Sequence, residues 1–166
     1  MDTSHHELEG YTNVDRAMQE HRHAISGCML LIDGGAISRS SKKQELIILS
    51  TAEAQYVAAT HAAKEAIWLR KLLGEIIPSL TAPTPFYCDN QATPKLAMED
   101  NYHTHTKHVD MHYHFIQQTV ASGAIKLLYC HTKDIIADLL TKALSKNKTA
   151  TFTTSLSMRH VCGGVV

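Results

Sequence analysis

Hydrophobic and polar positions change period several times along this chain. The segment from Ala24 to Ile32 (AISGCMLLI) is an almost unbroken apolar run and predicts a buried strand. Asp33-Gly34-Gly35 follows as a turn signal. Ala36 to Ser41 and Gln44 to Leu49 read as a further strand, bent near Lys42-Lys43, and Gly10 to Asp15 suits a short strand ahead of both. Together these predict an antiparallel meander. At Ser50-Thr51-Ala52-Glu53 the pattern becomes helical: a Ser cap with Glu three residues on, then good helix formers through Leu73, with Gly74 as the stop.

Pro78, Pro83 and Pro85 mark a loop before the strand Phe86 to Asp89. A short helix is expected from about Gln91 to Met98, with Pro94 in its first turn, where a missing N–H costs little. A longer helix is expected over Lys107 to Ala121, a strand over Ala124 to Cys130, and a short helix over Asp134 to Leu144. The order predicts a mixed α/β domain in which parallel strands extend the meander through helical crossovers. Residues 1–9 read as a polar tail and 10–144 as the domain. From residue 145 the Thr-, Ser-, Lys- and Gly-rich composition predicts a flexible or loosely packed tail.

Composition narrows the classes. The 166 residues suffice for one domain with a full core, and the 44% apolar and 19% charged shares are ordinary for a globular protein. Formal net charge is zero, so a nucleic-acid partner needs a local basic patch or a neighbouring domain. No apolar run is long enough to span a membrane, and the first seven residues lack the basic start and apolar core of a secretory signal. Cys28, Cys88, Cys130 and Cys162 form no C-x-x-C pair, which favours reduced thiols in a reducing intracellular compartment over a disulfide framework.

Three acids are candidates for one site, because ligands gather beyond strand ends in such sheets. Asp89 ends a strand, Glu53 opens the long helix, and Asp138 interrupts the apolar run Ile135 to Leu140. On an α-helical wheel Asp138 falls about 150° from the centre of the apolar face, which predicts an acid outside the core. Each also has a structural explanation: Glu53 as a capping partner, Asp89 as the cap of the next helix, Asp138 paired with Lys142 at i+4.

Seven segments in order decide between these explanations. They are GYTNVD (10–15), ISRSSKKQ (37–44), LSTAEAQY (49–56), KEAIWLR (64–70), YCDNQ (87–91), TKHVD with YHFI (106–110, 113–116) and IADLLTK (136–142). With them the chain resembles the ribonuclease H domain at the C-terminus of copia-type LTR retrotransposon polyproteins. The resemblance implies a ribonuclease H-like fold, a five-stranded mixed sheet flanked by helices. It also implies two divalent ions, Mg²⁺ or Mn²⁺, held by carboxylates and hydrolysing the RNA strand of an RNA–DNA hybrid, in a domain tethered to a reverse transcriptase. Two ions about 3.5–4 Å apart serve the attacking and leaving oxygens, and hard cations require oxygen ligands. The family's Glu, strand-end Asp and last Asp fall on Glu53, Asp89 and Asp138. Its first Asp is replaced by Asn13, which removes a negative charge. Asp15 points to the same side of an extended strand but is displaced by about 6–7 Å. The neighbouring Arg16 and Ala17 to Glu20 also depart from the family pattern, which favours a decayed or repurposed copy.

Further candidates follow from the resemblance. His131 lies in the loop where cellular relatives place a mobile histidine, at shorter spacing. Asn90, Gln91, Arg39, Lys42 and Lys43 are candidate substrate contacts, since amides beside such a site can read a 2′-OH. The lysines also fit a solvated sheet edge. Among the clustered His103, His105, His108, His112 and His114, the pair His108 and His112 has the i, i+4 spacing of a Zn²⁺ or Ni²⁺ site. No Cys or Glu completes that pattern, and His108 and His114 belong to the resembled motif. Two functions are carried forward: a ribonuclease H impaired at Asn13, and a catalytically inactive module of the same fold that binds nucleic acid or protein. A cytoplasmic virus-like particle or the nucleus is the expected location.

Overall fold

The computed structural model describes residues 6–15, 23–45, 50–97 and 107–158, with backbone alone for Ala52, Leu96 and residues 107–109. Strand β1 (Leu8–Asp15) runs antiparallel to β2 (Ile25–Ile32), which runs antiparallel to β3 (Gly35–Lys43). The chain then forms α1 (Thr51–Ile76), β4 (Thr84–Cys88), α2 (Ala92–Leu96), α3 (Lys107–Ala121) and β5 (Ile125–Tyr129). A 3-10 helix (Ile136–Leu140) and α4 (Lys146–Ser155) complete it. The sheet order is β3-β2-β1-β4-β5, with β4 parallel to both β1 and β5. This is the five-stranded mixed sheet expected from the element order.

Local chemistry explains the main transitions. Asp33 and Gly34 both have positive φ (50° and 77°), as a two-residue hairpin turn requires. Ser50 is extended and its Oγ accepts from the Glu53 N–H at 3.1 Å, which starts α1 as the capping pattern predicts. The predicted stop at Gly74 does not hold. The helix continues to Ile76, because glycine is tolerated at an exposed helical position, and ends where Pro78 cannot continue it.

Strand alternation divides the interior into two layers. Leu8, Cys28, Leu30, Phe86, Ile125 and Leu127 pack beneath α1 and α3, where Ala59, Ala62, Ala63 and Ala66 let the helix approach the sheet closely. On the other face Met29 and Leu31 meet Ile136, Phe152 and Leu156, with Tyr11, Leu139, Leu140 and Leu144 packed around them.

That second layer corrects two expectations. A loose tail from residue 145 is not what forms: Lys146–Ser155 is helical, capped by Ser145, and buries Phe152, with Leu156 buried just beyond its end. Its polar composition hides two apolar anchors four residues apart, enough to dock a short helix. Nor is Asp138 outside the core; it is 0% exposed. The α-helical wheel fails because the segment is a 3-10 helix covered by the sheet on one side and α4 on the other. Residue 44 leaves the strand, 46–49 lie outside the described residues, and β1 begins at Leu8, inside the expected tail.

Candidate functional site

Gly27 sets the site's geometry. It pairs with Asn13 on one side and Ser41 on the other. A Cβ at Gly27 would lie 2.7 Å from Thr141 Cγ2 and 2.8 Å from the Ala137 carbonyl oxygen. Only glycine lets the 3-10 helix lie flat across this row. Ser41 Oγ donates to the Leu140 carbonyl at 2.7 Å and fastens the far end of the crossing. The result sets Asp138 against Asn13, 125 residues away in sequence.

Both partners are buried, and Asn13 Nδ2 donates a hydrogen bond to Asp138 Oδ1. Two ammonium groups complete the cluster. Lys142 Nζ lies 2.9 Å from Asp138 Oδ1, so the expected i+4 pair forms, and Lys148 Nζ lies 2.9 Å from Oδ2. Lys148 comes from α4 and also sits over the Phe152 ring at 5.2 Å. Lys148 lies in a stretch of tail-like composition, and the i, i+4 apolar pair Phe152 and Leu156 is the signal that finds it.

At the end of β4, Asp89 is half-buried. Its Oδ1 accepts from Gln55 Nε2 at 3.1 Å and its Oδ2 from Thr132 Oγ1 at 3.2 Å. Gln55 is a second residue that sequence reasoning missed. It is 2% exposed, whereas Glu53 is half-buried in the first turn of α1. Residues two apart on a helix lie about 200° apart, so 53 and 55 cannot both face the sheet. A burial pattern starting at Ala54 is the signal that would have separated them. Among the described residues no three His, Cys, Asp or Glu side chains are placed to share a metal ion.

The remaining candidates scatter around this centre. Asp15 is on the same face as Asn13 by alternation, at the row pairing with Ile25. His131 is exposed and its Nδ1 lies 3.2 Å from Tyr129 Oη, one residue before the Thr132 that reaches Asp89. Asn90 Oδ1 accepts from the Ala92 N–H at 2.9 Å and shapes the entry to α2, and Gln91 is exposed beside it. Arg39, Lys42 and Lys43 are exposed along β3. Lys42 sits in the sheet row after Asn13, opposite Ser26. Near it Lys43, Val57, His61 and His112 line a cavity of about 190 Å³. Burial and the adjacent Lys42 and Lys64 hold the His61 imidazole below its ordinary pKa. His103 and His105 fall outside the described residues, as does the His108 side chain, so the His108–His112 ligand pair lies beyond the description; His112 instead neighbours His61, ring centroids 6.4 Å apart.

Cys28 and Cys88 are buried and Cys130 half-buried, all as free thiols. Burial pushes the Cys28 and Cys88 thiols up to about 12, which keeps them protonated and inert. No described helix is long and apolar enough to cross a membrane.

Comparison with known proteins places this geometry. No family model matches the chain. It is 40% identical over 142 residues, 85% of its length, to the "Retrovirus-related Pol polyprotein from transposon TNT 1-94" of Nicotiana tabacum. It is 33% identical over 163 residues, 96% of its length, to the corresponding polyprotein of transposon RE2 of Arabidopsis thaliana. The chain spans 11% of the length of each of these relatives. Among solved structures, RNase H1 of Halobacterium salinarum matches with a TM-score of 0.59 over 81% of this chain and 94% of that one, at 13% identity. LC11-RNase H1 in complex with an RNA/DNA hybrid matches at 0.58, with the same coverage and identity. At that identity the likeness is one of fold.

Proposed function

Because this chain is a homologue of part of the retrovirus-related Pol polyproteins of plant transposons and carries the ribonuclease H fold, we propose that it is a ribonuclease H-like module that engages RNA–DNA hybrid without cleaving it. In the polyprotein setting its neighbour is a reverse transcriptase domain. The carrying observation is the hydrogen bond from Asn13 to Asp138, which aims an N–H at the carboxylate where a cation-binding oxygen is needed.

Divalent ions of this fold supply an activated water and a stabilised leaving oxygen when bound. The residues present do not fit that pair of ions. Of the side chains gathered at the centre, Asn13 and Gln55 are neutral amides, and each turns its NH₂ toward the adjoining carboxylate. The amide oxygens of both are buried with no hydrogen-bond partner among the described residues. Turning either oxygen inward toward a cation would place it against a carboxylate oxygen and give up the existing bond. The impaired-enzyme reading, with Asn13 as its single defect, therefore receives less support than the inactive module.

Binding is a matter for β3. The exposed Arg39, Lys42 and Lys43, with Lys64 lining a cavity of about 280 Å³ beside Lys42, offer phosphate contacts on a chain of zero net charge. Fluorescence anisotropy with a labelled hybrid should give a dissociation constant that weakens steeply with salt. The Lys42→Ala/Lys43→Ala double variant should bind less tightly and with a shallower salt slope. In parallel, hybrid incubated with Mg²⁺ or Mn²⁺ should remain intact. Cleavage by the unaltered chain would return the reading to an active nuclease.

A further inference from the structure

We infer that Lys142 and Lys148 replace the cations of this fold, and that the cluster around Asp138 is a metal-independent ionic lock closed by α4. The inference deepens the non-cleaving reading and rests on it only for the absence of metal. The fastening role stands on geometry alone.

All four carboxylate oxygens of Asp89 and Asp138 already accept from protein donors. Asp138 Oδ1 takes Asn13 Nδ2 and Lys142 Nζ, and Oδ2 takes Lys148 Nζ. Asp89 Oδ1 takes Gln55 Nε2 and Oδ2 takes Thr132 Oγ1. Charge leads to the same conclusion. At Asp138 one carboxylate meets two ammonium groups, so the local sum is positive, and the Asn13 amide adds nothing. A dication brought to the fully buried Asp138 carboxylate would meet two ammonium groups and displace a protein donor at each oxygen.

Lys148 is the element that turns a pair into a lock. Lys142 lies on the same segment as Asp138 and ties nothing distant. Lys148 belongs to a separate helix, whose seat is set by Phe152 and Leu156 in the second hydrophobic layer. Its ammonium therefore joins α4 to the 3-10 helix, and Asn13 joins that helix to β1. A chain of two contacts, Lys148 to Asp138 and Asp138 to Asn13, runs from α4 to the central part of the sheet. The Phe152 ring lies under the Lys148 ammonium, which helps hold it near the carboxylate.

The test uses the full chain and a readout other than cleavage. Thermal unfolding should give the same Tm in EDTA and in excess MgCl₂ or MnCl₂. Side-chain NH₂ resonances of Asn13 and Gln55 should keep their intensity when paramagnetic Mn²⁺ is added. Lys148→Met should lower Tm equally with and without metal and should shift the Asn13 NH₂ resonances. The combination N13D/Q55E/K142M/K148M turns both amides that face Asp138 and Asp89 into carboxylates and removes both ammonium groups, and it should gain a Tm rise of several degrees with Mn²⁺. A metal-dependent Tm rise, or Mn²⁺ broadening, in the unaltered chain would overturn the metal-free assignment. An unchanged Tm for Lys148→Met would overturn the lock. Neither outcome bears on the anisotropy measurement of hybrid binding, so the two readings fail separately.

Discussion

The two faces of the sheet are held by different physics. Beneath α1 and α3 the contact is broad and apolar. Phe86, Leu30, Ile116 and Ile125 fill it, and alanines at 58, 62 and 66, spaced four apart, bring the helix down with little side-chain entropy to lose. Across the sheet the covering layer is thin: one turn-and-a-half of 3-10 helix and the ten residues of α4. There Met29, Leu31, Phe152 and Leu156 supply the apolar area, and a buried carboxylate with its amide and two ammonium partners supplies much of the specificity. Non-directional burial tolerates small displacements. A charge cluster does not, because each partner removed leaves another buried and unpaired. The candidate site belongs to the second kind of face, and its chemistry follows from that placement.

Substitutions can break this contrast. Phe86→Ala empties the centre of the broad face and should cost about 4 kcal/mol in urea unfolding, with little dependence on ionic strength. Asp138→Ala removes the acceptor of the thin face. It should cost about 3 kcal/mol, near the low end for a broken buried pair because both lysines can swing to water. Its signature is regional: hydrogen exchange should accelerate first in α4 and the 3-10 helix while α1 stays protected. Uniform acceleration would mean that the two faces unfold as one unit and that the contrast carries no energetic meaning.

Two smaller effects sharpen the picture. Ser50→Ala deletes the cap of α1 and should cost about 1 kcal/mol, a loss that the broad face absorbs without local opening. The smallest expected effect is the pH response of His61, on the rim of the α1 face. Its folded pKa lies below the ordinary 6.5, first because of burial and then because Lys42 and Lys64 repel the imidazolium, opposed by Glu45. The unfolded chain therefore binds the proton more readily. Stability is fully present above about pH 6.5 and falls as pH drops through the folded pKa, then levels off. His61→Gln should flatten that part of the stability–pH curve, and an unchanged slope would assign it to other groups.

Much of this molecule is legible in its sequence. An apolar run and turn chemistry marked β2 and β3, with Asp33-Gly34 between them. The Ser50 cap marked the start of α1, and an apolar run ending in an acid marked Asp89 as a strand-end group. The motif order carried the family, and the fold with it. These features are local: each depends on residues within a few positions, so the sequence displays them directly.

What the tertiary structure alone decided is which side chains meet. Glu53 and Gln55 differ by two positions, and only the docking of α1 on the sheet turns Gln55 toward Asp89. Asp138 looked solvated on a helical wheel because nothing in its own segment announces that α4 will cover it. Lys148 lies in a stretch whose composition reads as a tail, and it becomes part of the centre because Phe152 and Leu156 find an apolar seat formed by other elements. Sequence by itself thus determined the elements, their order and the kind of fold. Which side chains stand against the central carboxylates depends on packing, since those contacts join residues up to 125 positions apart.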